Sequence, residues 1–262
     1  MSIEIIHSPT SEKPFLVIYK PKGLPSAPLT ADDFENAFSQ AAALYPELLN
    51  VNGKKEIEHG LLHRLDTATD GLIVIAASQE CYDILMAEQE AGRFIKTYSA
   101  ECDIILDNAD KLGGFPQSPL IQTDSSLRGA LATKQSITIT SFFRPFGQGR
   151  KEVRPVTEKS GKAALSKLGK AKLYTTKIDI KKVSKTKARA VCNISQGYRH
   201  QVRCHLAWAG YPVCGDPLYN SNFRQEASDK KNAENLLFSA TAISFEYPRG
   251  DLNSYDRKDT WT

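Results

Sequence analysis

The chain has 262 residues and a formal net charge of +4, with 41% hydrophobic and 24% charged residues, which is ordinary for a soluble globular protein. The first fourteen residues lack the basic and then apolar pattern of a signal peptide, and no apolar run reaches the length of a membrane span. The five cysteines are odd in number and show no C-x-x-C spacing, which argues against a disulfide framework and a zinc site. We therefore expect a cytoplasmic protein without a membrane anchor.

The small net charge conceals one strongly basic segment. Residues 150–189 contain 14 Lys or Arg against 3 Asp or Glu, a local balance of +11, whereas the rest of the chain has a balance of −7. A basic patch on an otherwise acidic protein is typical of a polyanion partner. A solvated, lysine-rich surface gives the same count, and the composition leaves both interpretations open.

The N-terminal part predicts a strand, a turn and a helix. Residues 15–19 form an apolar run, which predicts a strand, and residues 20–25 follow as a stiff, basic, proline-containing turn. Residues 30–33 resemble a helix-capping box. The apolar residues behind it recur at helical spacing and predict a core-facing stripe of Phe34, Ala37, Phe38, Ala41, Tyr45 and Leu48.

Residues 63–76 form the most informative stretch. His63, Arg64 and Asp66 precede a tight bend at Asp70, and residues 72–76 are a β-branched apolar run that predicts a buried strand. A charged cluster at the mouth of a rigid strand suits a functional site. A surface turn with an Arg–Asp pair would give the same pattern.

The next elements are a helix and an alternating strand. Ser78 can cap a helix that ends at Gly92. Residues 94–100 then alternate, which predicts a strand with Lys96 and Tyr98 on one side. A lone strand tyrosine is usually a packing residue, so its role depends on what it faces.

The second half of the chain begins with an aromatic and basic stretch. Residues 142–162 are predicted to be irregular, and their phenylalanines and arginines could stack on nucleic-acid bases or could pin a loop to the protein. Residues 174–183 and 189–194 predict two strands, and residues 236–248 predict a last one.

Residues 197–210 combine a glycine, polar side chains and a second glycine. His200, Arg203 and His205-Leu206 fall near helical spacing, and Gln201 lies beside His200. Two histidines can indicate a metal site, but no acidic ligand lies within the stretch. We therefore expect oriented polar groups near a helix start, with no metal.

Taken together, these stretches resemble the RluA-type RNA pseudouridine synthase family. Any one of them is weak evidence, but four in the family's order and with similar spacing are specific, and they cover the chain from about residue 15 to 248. The matching motifs are Lys20-Pro21-Lys22-Gly23-Leu24-Pro25, His63-Arg64-Leu65-Asp66 with Thr69 and Gly71-Leu72, Lys96-x-Tyr98-x-Ala100, and His200-Gln201-Val202-Arg203-x-His205-Leu206 with Gly215-Asp216-Pro217-x-Tyr219.

The resemblance implies a fold, an activity and roles for the site residues. The implied fold is α+β, a bent mixed and largely antiparallel sheet with flanking helices and a central basic cleft. Asp66 would be the catalytic carboxylate, Arg203 its ion-pair partner, and Tyr98 the active-site tyrosine that stacks on the base. Arg64 would help to displace the target uridine from its stack. The remaining substrate-binding residues would be Lys20, Lys96, His200 and Gln201.

The resemblance also implies the partner and the domain limits. The substrate would be ribosomal or transfer RNA, with no obligate protein partner. Neither cofactor nor metal is expected, because the isomerisation of uridine gains and loses no atoms. We expect a catalytic domain over residues 15–250, an N-terminal extension over 1–14 and a tail over 251–262, with no separate N-terminal RNA-binding domain.

The chain departs from the family pattern at three places. Asp70 stands where serine is usual, Tyr198-Arg199 where Arg-Thr is usual, and Phe238-Ser239-Ala240 where Leu-His-Ala is usual. None of these positions has a catalytic role, but they leave the RNA target open. Two alternatives remain: a catalytically silent RNA-binding protein on the same fold, and a hydrolase that uses Asp66 and Asp70 as a carboxylate pair.

Overall fold

The elements of the chain are distributed over two units, Met1–Tyr98 with Ser239–Thr262, and Ser99–Phe238. The computed structural model describes residues 1–105, 112–117, 119, 134–166, 168, 172–223 and 235–257. The strands are β1 Glu4–His7, β2 Phe15–Lys20, β3 Asp70–Ala76, β4 Ile95–Asp103, β5 Lys134–Phe146, β6 Glu152–Val156, β7 Tyr174–Lys182, β8 Lys187–Ile194, β9 Phe238–Glu246 and β10 Leu252–Asp256. The α-helices are α1 Ala37–Leu44, α2 Gln79–Glu90, α3 Lys162–Leu165 and α4 Gln201–Trp208, and short 3-10 helices cover Pro46–Asn50, Glu56–Glu58 and Gln148–Arg150.

The sheet of the first unit joins the two ends of the chain. β1, β2 and β3 pair antiparallel in sequence order, β3 pairs parallel with β9, and β9 pairs antiparallel with β10. The parallel contact places Asp70 opposite Ser239 and Gly71 opposite Ala240. Gly71 has φ +135°, and a Cβ there would lie 2.3 Å from the Ala240 carbonyl oxygen. Only glycine therefore allows β3 and β9 to approach at this point.

The core of the first unit is apolar and partly aromatic. All seven residues of β3 are buried, as the β-branched run predicts. Phe94 and Phe245 stack with ring centres 5.0 Å apart, and Phe15 meets Phe245 edge-on. The predicted helix after residue 78 is confirmed, because Ser78 Oγ accepts from the backbone N–H of Cys81 at the start of α2. The strand predicted over residues 15–19 is also present as β2.

The start of α1 differs from the prediction. The helix begins at Ala37, behind an Asn36 cap whose side chain accepts from the Ser39 N–H at 2.9 Å. Asp33 instead closes a preceding turn by accepting from Leu29 N–H. Phe34, predicted to face the core, is 72% exposed. The prediction of a start at residues 30–33 was wrong because Thr30 and Asp33, which resemble a capping box in sequence, form a turn in which the Asp33 N–H donates to the Thr30 carbonyl.

The second unit is built on a long strand that changes partner. β5 pairs with β7 over Lys134–Ser141 and with β6 over Phe142–Phe146, and β7 pairs with β8. The prediction that residues 142–162 are irregular was wrong, because most of the first half is the β5–β6 hairpin. Pro145 and Pro155 are tolerated in these strands because they lie where each strand is paired on one side only, so neither removes a needed ladder hydrogen bond.

A second apolar cluster lies between the hairpin and α4. It contains Phe143, Val153, Cys204 and Tyr219. The strands predicted over 174–183 and 189–194 are confirmed as β7 and β8. Among the helices of the described residues, none combines the length and the apolar character needed to cross a bilayer.

The predicted domain limits at residues 15 and 250 stay a prediction. The structure adds that residues outside those limits belong to the first sheet. Glu4–His7 pairs with β2, and Leu252–Asp256 pairs with β9. β10 was not predicted.

Candidate active site

Asp66 lies in the loop before β3, and hydrogen bonds fix both of its neighbours. The Ser26 hydroxyl donates to the Leu65 carbonyl at 2.8 Å, and the Leu65 N–H lies 2.9 Å from Ser26 Oγ. On the other side, the Gly23 N–H donates to the Thr67 carbonyl at 2.8 Å. Asp66 itself is half-buried. Ser26 and Gly23, which follow β2, therefore fix the backbone on both sides of Asp66.

Lys20, predicted to bind substrate, is completely buried at the end of β2. Burial lowers the pKa of Lys20 to about 8, against the charges of Asp70 and Asp66, which act to raise it. The Lys20 ammonium donates to the backbone carbonyls of Pro21, Leu24 and Thr67 at 3.0, 2.8 and 3.4 Å. These hydrogen bonds connect the turn after β2 to the Asp66 loop. Contact of Lys20 with substrate stays a prediction.

Tyr98 lies on β4 and is 7% exposed. Burial, and then the negative charge of Asp66, raise the pKa of Tyr98 well above its ordinary value. The structure therefore brings Asp66, Lys20 and Tyr98 into one electrostatic neighbourhood within the first unit. A phenol with a raised pKa keeps its proton at neutral pH and remains a hydrogen-bond donor.

Lys96 shares the buried face of β4 with Tyr98, as the alternating sequence predicts. Its Nζ lies 5.5 Å from the centre of the Phe94 ring, and burial and the charge of Lys54 lower the pKa of Lys96 to about 8. Burial and the charge of Lys96 hold the pKa of His63 well below its ordinary value. His63 is therefore neutral at neutral pH, and Lys96 can give up its proton close to that pH.

Arg64 has a different environment. Its Nη1 lies 2.8 Å from Glu58 Oε1, and the side chain is 55% exposed. Exposed ion pairs of this kind contribute little to stability, so Arg64 can leave Glu58 for a substrate at a small cost.

Asp70 is buried at the first residue of β3 and is bound by side chains that the sequence did not indicate. Tyr19 donates to Oδ2 at 2.6 Å, Ser239 donates to Oδ1 at 2.8 Å, and Lys22 Nζ lies 3.8 Å from Oδ1. Burial, and then the hydrogen bond to Asp70, raise the pKa of Tyr19. No local pattern could reveal Ser239, because it follows Asp70 by 169 residues.

Arg203 lies on α4 of the second unit and forms a buried pair with Asp216. Its Nε and Nη2 each lie 2.8 Å from one carboxylate oxygen of Asp216. Burial acts to raise the pKa of Asp216, but the charge and hydrogen bonds of Arg203, together with the backbone N–H groups of Leu218 and Tyr219, outweigh burial and leave that pKa below its ordinary value. The predicted pair of Arg203 with Asp66 would join residues of two different units, and it stays a prediction.

The other predicted residues of the second unit are fixed by polar contacts. His200 has φ +56° immediately before α4, and its Nδ1 lies 3.0 Å from the Tyr219 hydroxyl oxygen. The Gln201 amide donates at 3.1 Å to the Thr175 carbonyl and the Thr176 hydroxyl. These contacts agree with the expected oriented polar groups at a helix start. Contact of His200 and Gln201 with substrate stays a prediction.

The basic segment 150–189 presents less positive charge than its composition indicates. Arg154 is buried against Glu152 at 2.6 Å, and Lys187 lies 2.7 Å from Asp103. Lys167 and Lys170 lie outside the described residues. The exposed lysines of this segment include Lys172, Lys177, Lys181 and Lys185.

Comparison with known proteins agrees with the resemblance seen in the sequence. Residues 14–208 match the family described as RNA pseudouridylate synthase. The ribosomal large subunit pseudouridine synthase D of Pseudomonas aeruginosa is 25% identical over 224 residues, which are 86% of this chain and 55% of that protein. The tRNA pseudouridine(31) synthase of Saccharomyces cerevisiae is 27% identical over 212 residues, 80% of this chain and 45% of that protein.

The solved structures agree on the fold. The human RNA pseudouridylate synthase domain containing 1 superposes with a TM-score of 0.63 at 14% identity, covering 100% of this chain and 85% of that one. The predicted α+β class with a mixed, largely antiparallel sheet is confirmed. The chain spans about half the length of the curated relatives it matches. Because the family match covers most of its residues, the chain belongs to the RNA pseudouridylate synthase family.

Proposed function

We propose that this chain isomerises uridine to pseudouridine in RNA, with Asp66 as the catalytic carboxylate. The observation that carries the proposal is the setting of Asp66. It is half-buried, fixed through both neighbours, and close enough to Tyr98 to raise the pKa of the phenol. In a chain of this family, such a carboxylate is the natural candidate for the reacting group.

The reaction explains why a carboxylate and a phenol suffice. The bond between the ribose C1′ and the ring N1 breaks, the base turns, and a new bond joins C1′ to the ring C5. The hydrogen on C5 is released, and N1 gains one. Asp66 acts on the sugar, either as the nucleophile at C1′ or as a base. Tyr98 stacks on the base and helps to move the proton from C5.

The remaining predicted residues have supporting roles in this proposal. Arg203 pairs with Asp66 and favours its ionised form. Arg64, whose exposed ion pair is weak, takes the place of the extruded uridine in the RNA stack. Lys20, Lys96, His200 and Gln201 contact the nucleotide around the reacting bond.

The proposed substrate is ribosomal or transfer RNA, and the proposed compartment is the cytoplasm. Relatives named for each of these two RNA classes are similar to the chain at comparable identity. The exposed lysines of the basic segment supply contacts to phosphate.

The carboxylate-pair hydrolase is less well supported. Such an enzyme needs two carboxyl groups that flank the scissile bond, one of them able to activate water. Both oxygens of Asp70 already accept hydrogen bonds, from Tyr19 and Ser239. Asp70 is therefore poorly suited to act as the second reacting carboxylate.

The test uses RNA labelled with tritium at C5 of uridine. Isomerisation releases tritium to water in proportion to the pseudouridine formed, a hydrolase would release free uracil, and a silent binding protein would release neither. We expect tritium release without uracil from ribosomal or transfer RNA of a strain that lacks the gene. Intact label on both RNA classes would overturn the proposal, and mapping of pseudouridine after restoring the gene would identify the position.

A further inference from the structure

The second unit contains a cavity of about 700 Å³, and its lining includes none of the residues that we assign to the proposed reaction. It lies between the β5–β6 hairpin, residues 114–117 and residues 157–164. Its lining includes three aromatic rings and two cationic side chains, namely Phe115, Phe142, Trp208, Arg144 and Lys159. Glu158 also lines it, which leaves an excess of one positive charge.

Buried side chains fix one wall of this cavity. The Arg154 guanidinium, which is fully buried, donates to the carbonyls of Leu112 and Gly113 and lies 4.4 Å from the centre of the Phe115 ring. The indole N–H of Trp208 lies 3.1 Å from the carbonyl oxygens of residues 116 and 117. The wall is therefore attached at two points, as expected of a preformed binding site.

Arg144 lines the cavity and has one hydrogen-bond donor without an acceptor in the part of the chain that the structure describes. Its Nη2 donates to the Gly114 carbonyl at 3.3 Å, and its guanidinium lies 5.0 Å from the centre of the Phe146 ring. Its Nε is buried and has no partner among the described residues. Nε itself has no exposed surface, but Arg144 is half-buried and lines the cavity, so the rest of its guanidinium can meet an acceptor from a ligand.

The chemistry of the lining selects the occupant. Aromatic rings favour a flat, polarisable group, a guanidinium favours a carbonyl or phosphate oxygen, and a cavity of several hundred Å³ suits one nucleotide. We propose that this cavity receives an unpaired nucleotide of the RNA, whose base stacks on Phe142 and whose acceptor atoms meet Arg144. The inference rests on the proposed function for the identity of the polymer, but it concerns a site separate from Asp66.

Matched variants separate stacking from charge. Phe142→Leu keeps an apolar side chain but removes the ring, and Phe142→Trp restores a ring. Arg144→Gln removes the donor at the cavity, and Arg150→Gln removes the same charge from an exposed residue of the same hairpin that is not part of the lining. Thermal unfolding of each variant checks that the hairpin remains folded.

The probes are a twelve-nucleotide single-stranded RNA of mixed sequence and an abasic RNA of the same length. For the RNA with bases, we expect Phe142→Leu to weaken binding by about fivefold or more, because stacking on an aromatic ring is lost. Phe142→Trp should bind like the wild type, and Arg144→Gln should weaken binding to the RNA with bases more than to the abasic RNA. Arg150→Gln should affect both probes equally.

Two outcomes would overturn the inference. Unchanged affinity of Phe142→Leu for the RNA with bases would show that no base enters the cavity. Equal losses of affinity for both probes in Arg144→Gln would show that Arg144 contacts phosphate only. Neither outcome bears on the proposed reaction, because tritium release is measured independently. Conversely, binding losses at Phe142 without any tritium release would support the cavity and reject the isomerase.

Discussion

Two aspartates show how differently the two units use a carboxylate. Asp66 is positioned through the backbone of its neighbours, which Ser26 and Gly23 hold. Asp216 is positioned through its own oxygens, which accept from the Arg203 guanidinium and from backbone N–H groups. The second arrangement commits the Asp216 carboxylate to the support of Arg203, whereas the first fixes the backbone on which Asp66 stands.

The largest effect is expected for Asp66→Asn, which keeps the shape of the side chain and removes its charge. This variant tests whether Asp66, unlike Asp216, takes part in the reaction. If Asp66 reacts, turnover should fall by at least about 10³-fold, because neither a nucleophile nor a base remains. RNA affinity should stay within a few-fold of wild type. Tritium release and filter binding measure the two quantities. Turnover close to wild type, in protein shown by mass spectrometry to be free of deamidation, would sink the assignment.

Arg203→Met tests the other aspartate. It leaves Asp216 buried without its cation, so the free energy of unfolding should fall by about 3–5 kcal/mol, measured by urea denaturation. Turnover should also fall severely, and the acidic limb of the pH–rate profile should move to higher pH, because a carboxylate that loses a cationic neighbour binds its proton more tightly. An unmoved limb in a still active variant would contradict the proposed pair with Asp66.

A double variant, Arg203→Met with Asp216→Leu, serves as the control. It removes the unpaired carboxylate, so stability should largely return while turnover stays low. Recovery of both stability and turnover would give Arg203 a structural role only.

The pH dependence of the free energy of unfolding provides a second check on the pair of Arg203 with Asp216. Because the folded pKa of Asp216 lies below its ordinary value of 3.8, the pair stabilises the wild type above that pH, and this contribution is lost as the pH falls through the lowered pKa.

Variants of Tyr98 test whether this residue takes part in the reaction or only packs near Asp66. Tyr98→Leu should reduce turnover by about 10²-fold, because it removes both the stacking ring and the proton-transferring hydroxyl. Tyr98→Phe keeps the ring, so it should lose activity only to the extent that the hydroxyl takes part. Retention of full activity by the Leu variant would return Tyr98 to a packing role.

Elements with strong local signals could be predicted from the sequence. The alternation in β4 placed Lys96 and Tyr98 on one buried face, and the Ser78 cap located the start of α2. The partners of the carboxylates could not be predicted in this way. Asp216 lies in a recognised motif, but its bidentate contact with Arg203 depends on how the chain returns after α4.

The β5–β6 hairpin illustrates a second limit of the sequence. Prolines and glycines between residues 145 and 155 are typical of a loop. The glycines lie in the connection between β5 and β6, and the two prolines are tolerated in strands because β5 exchanges one partner for another after Ser141 and β6 lies at the edge of the sheet. Pairing of this kind is a property of the assembled sheet and leaves no periodic signal.

Lys20→Met tests, through the pH dependence of stability, whether the lysine next to the Asp66 loop is buried. The pKa of Lys20 is about 8 in the folded protein against an ordinary 10.5, so burial of the charged form destabilises the native state. This penalty is present below pH 8 and is relieved as the pH rises from 8 to 10.5. Over that window the stability of wild type relative to Lys20→Met should rise by up to about 3 kcal/mol. Lys177→Met, at an exposed lysine, should follow the wild type, and a flat difference for Lys20→Met would contradict the buried environment.

The smallest expected effect concerns the exposed lysines of the basic segment. Lys172, Lys177, Lys181 and Lys185 are changed together to Gln, and about half of them are expected to contact phosphate. The steepness of the dependence of log affinity on log salt should then fall by roughly 1.5, because RNA binding releases fewer counterions when it makes fewer phosphate contacts. Turnover at saturating RNA should change little. Unchanged slope and affinity would assign these charges to a solvated surface.

The first unit is discontinuous, and this has a consequence for how the protein is made. β9 and β10 follow the whole of the second unit in the chain, so β3 has no parallel partner at Gly71 while residues 99–238 are being synthesised. At about 5–20 residues per second, that interval is on the order of ten seconds. During it, the edge of β3 is exposed to wrong pairing, and Asp70 lacks the Ser239 hydroxyl. The acidic start of β3 is therefore completed only after the second unit has left the ribosome.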